Sequence, residues 1–283
     1  MNPRFLTASY TSLTMIAFAS NSLLNRLALG RESIDAVSYT AIRLVSGALA
    51  LWLISSLQKN SAGTRVRGNW LSASMLFAYA IAFSFAYLSL SAGTGALILF
   101  GTVQVTMILA ALRSGERPHA LEWLGVLLAL GGLVYLVLPG LEAPSLLGSA
   151  LMTMAGIAWG VYSLRGRGAS SPLADTTGNF LRAVPLIVAV LLVSLKGVQL
   201  SQTGILLAVL SGAVASGLGY VIWYAALASL TATRAAIVQL SVPVLAAWGG
   251  VLLLGEAISL RLILAGAFIL GGIALAIVGR RKA

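Results

Sequence analysis

The sequence of 283 residues contains no cysteine, a single histidine and only seven acidic residues. Without cysteine, the chain forms no disulfide bond and offers no thiolate to a metal ion. Charged residues make up 9% of the chain, against about 25% in ordinary soluble domains. A soluble fold cannot stay wettable with so few charges. The composition therefore excludes a soluble enzyme, a disordered chain and a secreted disulfide scaffold.

Apolar residues make up 59% of the chain, and its mean hydropathy is +0.98. They occur in runs of about 20 residues, which is the length of a helix that crosses a bilayer, whereas a membrane β-barrel shows shorter alternating strands. We predict an all-α integral membrane protein with ten transmembrane helices. Its short loops leave no room for a soluble domain, so no ATPase subunit is implied. The predicted spans are 5–24, 36–57, 69–91, 95–113, 120–138, 146–165, 173–194, 203–229, 233–254 and 260–279.

The net charge of +11 predicts an orientation in the membrane and no nucleic-acid partner, because the cations are dispersed between the apolar spans. Of the 18 Lys and Arg residues, two lie deep within spans and four lie in loops or at a span end on the side away from the termini, which leaves 12 on the side of the termini. Short loops rich in Lys and Arg stay in the cytoplasm. We therefore expect both termini to be cytoplasmic. The four residues on the other side are Arg26, Arg31, Lys196 and Arg261.

The chain repeats itself at an offset of about 140 residues. The halves, 1–139 and 140–283, carry five predicted spans each, and an odd number makes the second half enter the membrane from the opposite face. We predict two inverted five-helix repeats around a central cavity, an architecture typical of alternating-access transporters. The matching residues are Gly115-Glu116 with Gly255-Glu256, Gly131-Gly132 with Gly271-Gly272, Arg43 with Arg182, and Phe18, Ser22 and Arg26 with Trp159, Ser163 and Arg167.

Several of these features together carry a family resemblance: the paired five-span halves, Trp159-Gly160, the two arginines within spans, and the Gly-Glu pairs. The chain resembles the EamA branch of the drug/metabolite transporter (DMT) superfamily over nearly its whole length. Within that branch it is most similar to the YddG-type exporters of aromatic amino acids. One departure is Phe18-Ala19, where the first half would be expected to carry Trp-Gly. The resemblance implies export across a bacterial inner membrane, with spans 1–4 and 6–9 around the cavity and spans 5 and 10 supporting it.

The acidic residues all fall in loops or at the ends of predicted spans, and His119 also lies in a loop. A proton-driven carrier usually has a carboxylate or histidine within the membrane as its relay, so we expect a facilitative carrier. The same distribution offers no pair of catalytic side chains and no metal site. We therefore expect no enzymatic activity, no metal and no cofactor.

Arg43 and Arg182 are the two cations within predicted spans. One interpretation is structural, with the arginines snorkelling towards water or tying helix ends together. The other is a clamp for a substrate carboxylate or phosphate, since the guanidinium offers a bidentate fork. Both interpretations remain open at the level of sequence.

Uncharged polar and aromatic residues complete the candidate cavity. Amides within a bilayer are costly unless they face the bundle interior, and aromatic residues near mid-span are poor candidates for interface anchors. Hydrogen bonds between helices and core packing are the alternatives for these residues. A cavity of rings and amides suits flat amphipathic zwitterions. The candidates are Asn21, Gln104 and Gln239 among the amides, and Tyr79, Phe83, Trp159, Tyr162, Tyr220 and Trp223 among the aromatic residues.

The sequence thus predicts an alternating-access exporter of small metabolites, most plausibly aromatic or large hydrophobic amino acids. Two alternatives stay open. One is an exporter of toxic organic cations or drugs with the same fold, and the other is a membrane scaffold that transports nothing.

Overall fold

A computed structural model describes residues 3–57, 67–113, 120–138, 143–166, 169–230, 238–239 and 241–280. This described part of the chain is almost entirely helical and contains no strand. A short 3-10 helix lies at Leu195–Gly197. The long helices are α1 (Pro3–Leu29), α2 (Ala36–Leu57), α3 (Trp70–Ala86), α4 (Ala92–Arg113), α5 (Ala120–Val137), α6 (Leu146–Gly166), α7 (Pro172–Val193), α8 (Gln202–Leu227), α9 (Ser241–Leu254) and α10 (Leu260–Arg280).

Among the described residues, four helices are long and apolar enough to cross a membrane, namely α2, α6, α7 and α8. Shorter apolar stretches lie in α3, α4, α5, α9 and α10. The outer surface exposes large apolar side chains such as Trp52, Trp123 and Trp248, and such a surface is stable against lipid rather than water. The prediction of an all-α protein with apolar helices is confirmed, whereas the count of ten spans stays a prediction.

Short polar side chains define where helices begin. The Asn69 side chain accepts the N–H of Ser72 and caps α3, and the Ser201 hydroxyl accepts the N–H of Gly204 and caps α8. Such caps satisfy N–H groups that the first helical turn leaves unpaired. The third span was predicted as 69–91, but α3 ends at Ala86 and α4 begins at Ala92. The cause is local, because the Ser91 hydroxyl accepts the N–H of Thr94 and starts a new helix.

Packing between the halves follows a regular pattern. Each helix of the first half, α1–α5, can be matched in chain order with a helix of the second half, α6–α10. Three helices pack directly on their matched helix: α2 on α7, α4 on α9, and α5 on α10. Each of the other large contacts occurs a second time with both helices replaced by their matched helices. Helix α6 packs on α3 and α4 as α1 packs on α8 and α9, and α2 packs on α8 as α7 packs on α3.

The central part of α8, Leu210–Leu218, is a π-helix. It consists mainly of small residues, and a Cβ atom on Gly212 would clash with the carbonyl oxygen of Arg43. The backbones of α2 and α8 therefore touch at a point that only glycine permits. Single π-turns are wider than α-turns and occur often at functional sites.

Two aspartates mark the opposite ends of the bundle. Asp35 precedes α2, and its carboxylate accepts the N–H of Gln199, in the loop before α8. Asp175, 140 residues later, accepts the N–H of Gly68, in the loop before α3. The Ser55 and Thr177 hydroxyls, 3.2 Å apart, place the first turns of α7 beside the last turns of α2. Since α2 separates the two ends, we name them the Asp35 face and the Asp175 face.

Candidate functional site

Aromatic side chains from α1, α3, α6 and α8 meet between the two halves. Trp159 lies at their centre, with its ring centroid 4.6 Å from that of Tyr220, 5.0 Å from Tyr79 and 5.5 Å from Phe18. Tilted and edge-to-face contacts of this kind each contribute about 0.5–1.5 kcal/mol beyond the burial of area. The cluster comprises Phe18, Tyr79, Phe83, Trp159, Tyr162, Tyr220 and Trp223.

Within this cluster, residues that occupy matching positions in the two halves touch each other. Phe18 and Trp159 are 141 residues apart in sequence and meet edge to face at 88°. Tyr79 and Tyr220 are also 141 residues apart, and their hydroxyl oxygens are 3.3 Å apart. A residue contacts its own counterpart only close to a two-fold axis. The aromatic cluster therefore lies at a contact between the two halves of the chain.

A small cavity lies inside the cluster. It leaves about 10 Å³ for the centre of a water molecule, which is room for about one water. A site that encloses a small metabolite needs hundreds of Å³, so the cavity in this conformation is too small for such a molecule. The lining consists of Phe18, Asn21, Ser22, Tyr79, Phe83, Leu99, Phe100, Trp159 and Tyr220.

Arg43 of α2 stands immediately behind two tyrosines of this lining. Its side chain is only 1% exposed. The Nη2 atom donates to the hydroxyls of Tyr79 and Tyr220, each at 3.1 Å, and Nε donates to the Ser216 hydroxyl at 3.1 Å. The guanidinium carbon also lies 5.2 Å from the ring centroids of both Tyr79 and Phe83. Arg43 is thus held by hydroxyls and π faces.

The charge of Arg43 is unusually placed for a buried cation. No carboxylate in the described part of the chain pairs with it, and its Nη1 atom has no hydrogen-bond partner there. Burying a charge is expensive unless it is paired and fully hydrogen-bonded. The site therefore combines an aromatic cavity with a positive charge that no described carboxylate neutralises.

Asn21 of α1 links the cavity to the π-helical part of α8. Its Nδ2 donates to the Ser216 hydroxyl at 3.1 Å and to the Tyr220 hydroxyl at 3.4 Å, while its Oδ1 accepts from Ser211. The wide π turn presents both serines to the same side, where an α-helix would rotate residues five apart away from each other. Arg43 and Asn21 share Ser216 and Tyr220, so α1, α2, α3 and α8 meet in one polar network.

One ion pair connects the two halves on the Asp35 face. Arg26 Nε lies 3.1 Å from a carboxylate oxygen of Glu256. The same carboxylate accepts the N–H of Ala92 at 2.8 Å, which caps α4 and places negative charge at the helix N-terminus. Gly255 adopts a φ of +67°, and this left-handed turn directs Glu256 back towards the bundle. The residues that match this pair in the repeat, Arg167 for Arg26 and Glu116 for Glu256, lie outside the described residues.

Asp35 joins the halves on the same face. It accepts the N–H of Ser38 at 2.8 Å and that of Gln199 at 2.9 Å. Burial alone would raise the pKa of this carboxyl, but the hydrogen bonds from Ser38 and Gln199 outweigh it and hold the pKa of Asp35 below its ordinary value.

Arg182 lies at the Asp175 face, away from the cavity lining. Its Nη1 donates to the carbonyl oxygens of Arg67, at 2.7 Å, and Gly178, at 2.9 Å. It thereby ties the loop before α3 to α7. Near it, Arg165 of α6 donates to Asn69 and to Ser72. Arg182 corresponds to the structural interpretation of the sequence, in which the arginine holds helix ends together.

The structure brings eight of the eleven candidates together. Asn21, Tyr79, Phe83, Trp159 and Tyr220 line the cavity. Arg43, Tyr162 and Trp223 contact that lining from behind. The three candidates outside this group are Arg182, and the buried Gln104 and Gln239.

Several residues in or beside the lining carried no clear signal in the sequence. Phe18 contacts four aromatic rings, yet its only signal was that it matches Trp159 in the repeat. Leu99 and Phe100 belong to an apolar run that resembles any lipid-facing stretch. Ser216 is one of several small residues in α8. Small residues are expected to allow close packing of helices, so the sequence offered no reason to expect hydrogen bonds from the Ser216 hydroxyl.

The acidic side chains that the structure describes are Glu32, Asp35, Asp175 and Glu256, and all lie at the two faces. Within the described ranges, no three side chains of His, Cys, Asp or Glu come together as metal ligands would. His119, Glu116 and Glu142 lie outside these ranges, as does the side chain of Glu122.

Comparison with known proteins agrees with this picture. The EamA-like transporter family matches the chain twice, at residues 6–138 and 146–278. A protein of Pseudomonas aeruginosa that is described as uncharacterized is 55% identical over 274 residues, which are 97% of this chain and 95% of that protein. A crystal structure described only as that of a protein shares the fold, with a TM-score of 0.66 over 95% of this chain and 97% of the other, at 20% identity. The chain therefore belongs to the EamA-like transporter family of the drug/metabolite transporter superfamily, whose members are membrane transporters.

Proposed function

We propose that this transporter exports aromatic or large hydrophobic amino acids across a bacterial inner membrane by alternating access. The observation that carries the proposal is the aromatic cavity next to Arg43. Flat rings such as Trp159 and Tyr220 offer stacking surfaces for an aromatic side chain. The guanidinium and the tyrosine hydroxyls bound to it offer donors for a carboxylate.

The proposal includes ten spans arranged as two inverted repeats, 1–139 and 140–283. Three observations support it: the helix contacts that occur a second time between the matched helices, the position of Asp35 and Asp175 at opposite ends of the bundle, and the contacts between matching aromatic residues. In alternating access, the two halves rock about a central site. The excess of Lys and Arg on the side of the termini supports a cytoplasmic location for the termini and, with them, for the Asp175 face.

We propose that transport is facilitative. The described carboxylates lie at the two faces rather than around the cavity, and a relay of protons across the membrane normally passes through ionisable groups near its centre. Substrate would then move down its own gradient.

Two rival functions make different demands on the site. An exporter of organic cations would have to bring a positive charge beside Arg43, which is unfavourable in a buried site. A membrane scaffold would tolerate any substitution in the cavity that preserves size and stability.

The test uses purified protein in liposomes preloaded with unlabelled phenylalanine, with uptake of labelled phenylalanine measured with and without a proton gradient. We expect uptake that survives collapse of the gradient. Uptake that requires the gradient would refute the facilitative mechanism alone. A folded protein that gives no uptake above empty liposomes would refute the amino acid substrate.

A pair of tryptophan variants locates the site. Trp159→Leu removes a ring from the cavity, and we expect uptake to fall about tenfold, as the loss of two ring contacts implies. Trp248→Leu makes the same chemical change at a side chain that is 64% exposed, so it should leave uptake unchanged. Equal uptake by both variants would place the substrate elsewhere.

A further inference from the structure

The charges and hydrogen bonds around the cavity discriminate between the two charged ends of an amino acid. We infer that the site recognises the carboxylate and does not require the ammonium, so that aromatic monocarboxylates lacking an amino group are also substrates. This inference rests on the proposed function, since it assumes that transported molecules bind in the aromatic cavity.

The first step concerns donors. Among the described residues, the polar side-chain atoms at the cavity that lack a hydrogen-bond partner are Ser22 Oγ and Trp159 Nε1 in the lining. Behind the lining they are Arg43 Nη1, Trp223 Nε1 and the Tyr162 hydroxyl. Indole and guanidinium nitrogens only donate hydrogen bonds. The three unpartnered nitrogens can only donate, and the two hydroxyls can donate as well, so the unused capacity of the site is mainly on the donor side. A carboxylate has two oxygens that accept about four hydrogen bonds.

The second step concerns acceptors, which an ammonium group needs. The amide oxygen of Asn21 accepts from Ser211, and the hydroxyls of Tyr79 and Tyr220 accept from Arg43. Each of these oxygens therefore already accepts at least one hydrogen bond, and the Ser22 hydroxyl is the side-chain acceptor in the described lining that has no partner. An ammonium would also lie near the charge of Arg43. Only the π faces of the rings would favour it, at about 0.5–2 kcal/mol.

The third step concerns charge balance. Arg43 is almost completely buried and has no carboxylate partner among the described residues. A substrate carboxylate would neutralise it and engage Nη1, and charge-assisted hydrogen bonds of this kind are about twice as strong as neutral ones. The same carboxylate on a molecule without an ammonium makes the same contacts.

The experiment compares three molecules that share one phenyl ring: phenylalanine, 3-phenylpropionate, which lacks the ammonium, and phenethylamine, which lacks the carboxylate. Each competes with labelled phenylalanine for uptake into proteoliposomes, with empty liposomes as the background. We expect 3-phenylpropionate to compete within about threefold of phenylalanine, and phenethylamine to be weaker by at least about tenfold, the cost of losing a charge-assisted bond.

Variants of Arg43 test the origin of this preference. Arg43→Lys keeps the charge and loses the fork, whereas Arg43→Gln removes the charge. We expect competition by 3-phenylpropionate to weaken about tenfold or more in Arg43→Gln and less in Arg43→Lys, since a charge and its paired bond are lost. The exposed Arg31→Gln is the matched control. Because Arg43→Gln can impair folding, ligand-induced shifts in Tm of the purified, monodisperse variants provide a second readout that needs no transport.

The outcomes separate this inference from the proposed function. Phenylalanine uptake together with failure of 3-phenylpropionate to compete or to shift the Tm overturns the inference and leaves the proposed function intact. Equal competition by phenethylamine also overturns it. A Tm shift by 3-phenylpropionate that depends on Arg43, in a protein that does not take up phenylalanine, supports the inference and overturns the amino acid substrate.

Discussion

Arg43 and Arg182 are the two arginines within apolar spans and lie 139 residues apart in the sequence. They differ in their position in the bundle and in the groups to which they donate hydrogen bonds. Arg43 is buried at the centre, bonded to side chains of α3 and α8. Arg182 lies at the Asp175 face and bonds to backbone carbonyl groups. Similar sequence positions in a repeat therefore do not guarantee similar roles.

The difference has a geometric cause. Asp35, which directly precedes α2, and Asp175, which lies in the first turn of α7, are 140 residues apart rather than 139. At that offset the counterpart of Arg43 is Ala183, which is fully buried. One residue on an α-helix is a rotation of about 100°. The direction that leads to the cavity from α7 is therefore the one taken by the side chain at position 183, and Arg182 points about 100° away from it.

The largest expected effect separates the two arginines by function. Arg43→Gln removes the charge at the cavity, and we expect phenylalanine counterflow to fall by about tenfold or more while the variant remains foldable in detergent. Arg182→Gln loses two hydrogen bonds to backbone oxygens, so we expect a lower Tm from a loss of about 1–3 kcal/mol in stability.

The measurement is counterflow per folded molecule, with Tm recorded for both variants. The comparison would break down if Arg182→Gln reduced counterflow per folded molecule as much as Arg43→Gln does. That result would indicate that Arg182 contacts the substrate, which is the alternative that the sequence left open.

How far the sequence predicts the site depends on how local each signal is. Tyr79 and Phe83 were found because residues four apart share a helical face, and the structure brings them together at 5.2 Å. The direction of Arg182 could not be found in this way, because the rotation of α7 is set by its packing on α2. Ser216 depended on a π-helix that no residue pattern in α8 indicates.

The two faces offer a second comparison, between the ion pair on the Asp35 face and the hydrogen bonds on the Asp175 face. Glu256→Gln removes a charge that pairs with Arg26 and caps α4. We expect the Tm to fall, by a stability loss of about 1–3 kcal/mol, and the Asp35 face to open more often. The exposed Glu32→Gln is the matched control.

The absence of cysteine from the sequence allows a direct measurement of that opening. Ser22→Cys places a single thiol in the cavity lining, and an impermeant thiol reagent reaches it only when a face opens. We expect faster labelling from the Asp35 face in Glu256→Gln than in the parent, by about threefold to tenfold for a shift of about 1 kcal/mol. Unchanged labelling would mean that the ion pair stabilises the fold without closing the site.

A smaller effect concerns the matched tyrosines. Tyr79→Phe and Tyr220→Phe each remove one hydroxyl that accepts from Arg43, and we expect the KM for phenylalanine to rise about threefold to tenfold in each, the loss of about one hydrogen bond. Because both hydroxyls serve the same Nη2 atom, the double variant should cost less than the sum of the two free energies. Additive effects would show that the hydroxyls act independently of Arg43.

The smallest effect concerns Asp35, whose pKa is lowered by the N–H groups that it accepts. A lowered pKa in the folded state adds stability above the ordinary pKa of about 3.9, and this stability is lost as the pH falls through the lower folded value. We expect Asp35→Asn to melt at a lower temperature than the parent at pH 7, by at most about 1 kcal/mol because asparagine also caps helices. The gap in Tm should close below about pH 4. A gap that persists or widens in acid would mean that the carboxylate charge of Asp35 does not join the loop before α8 to α2.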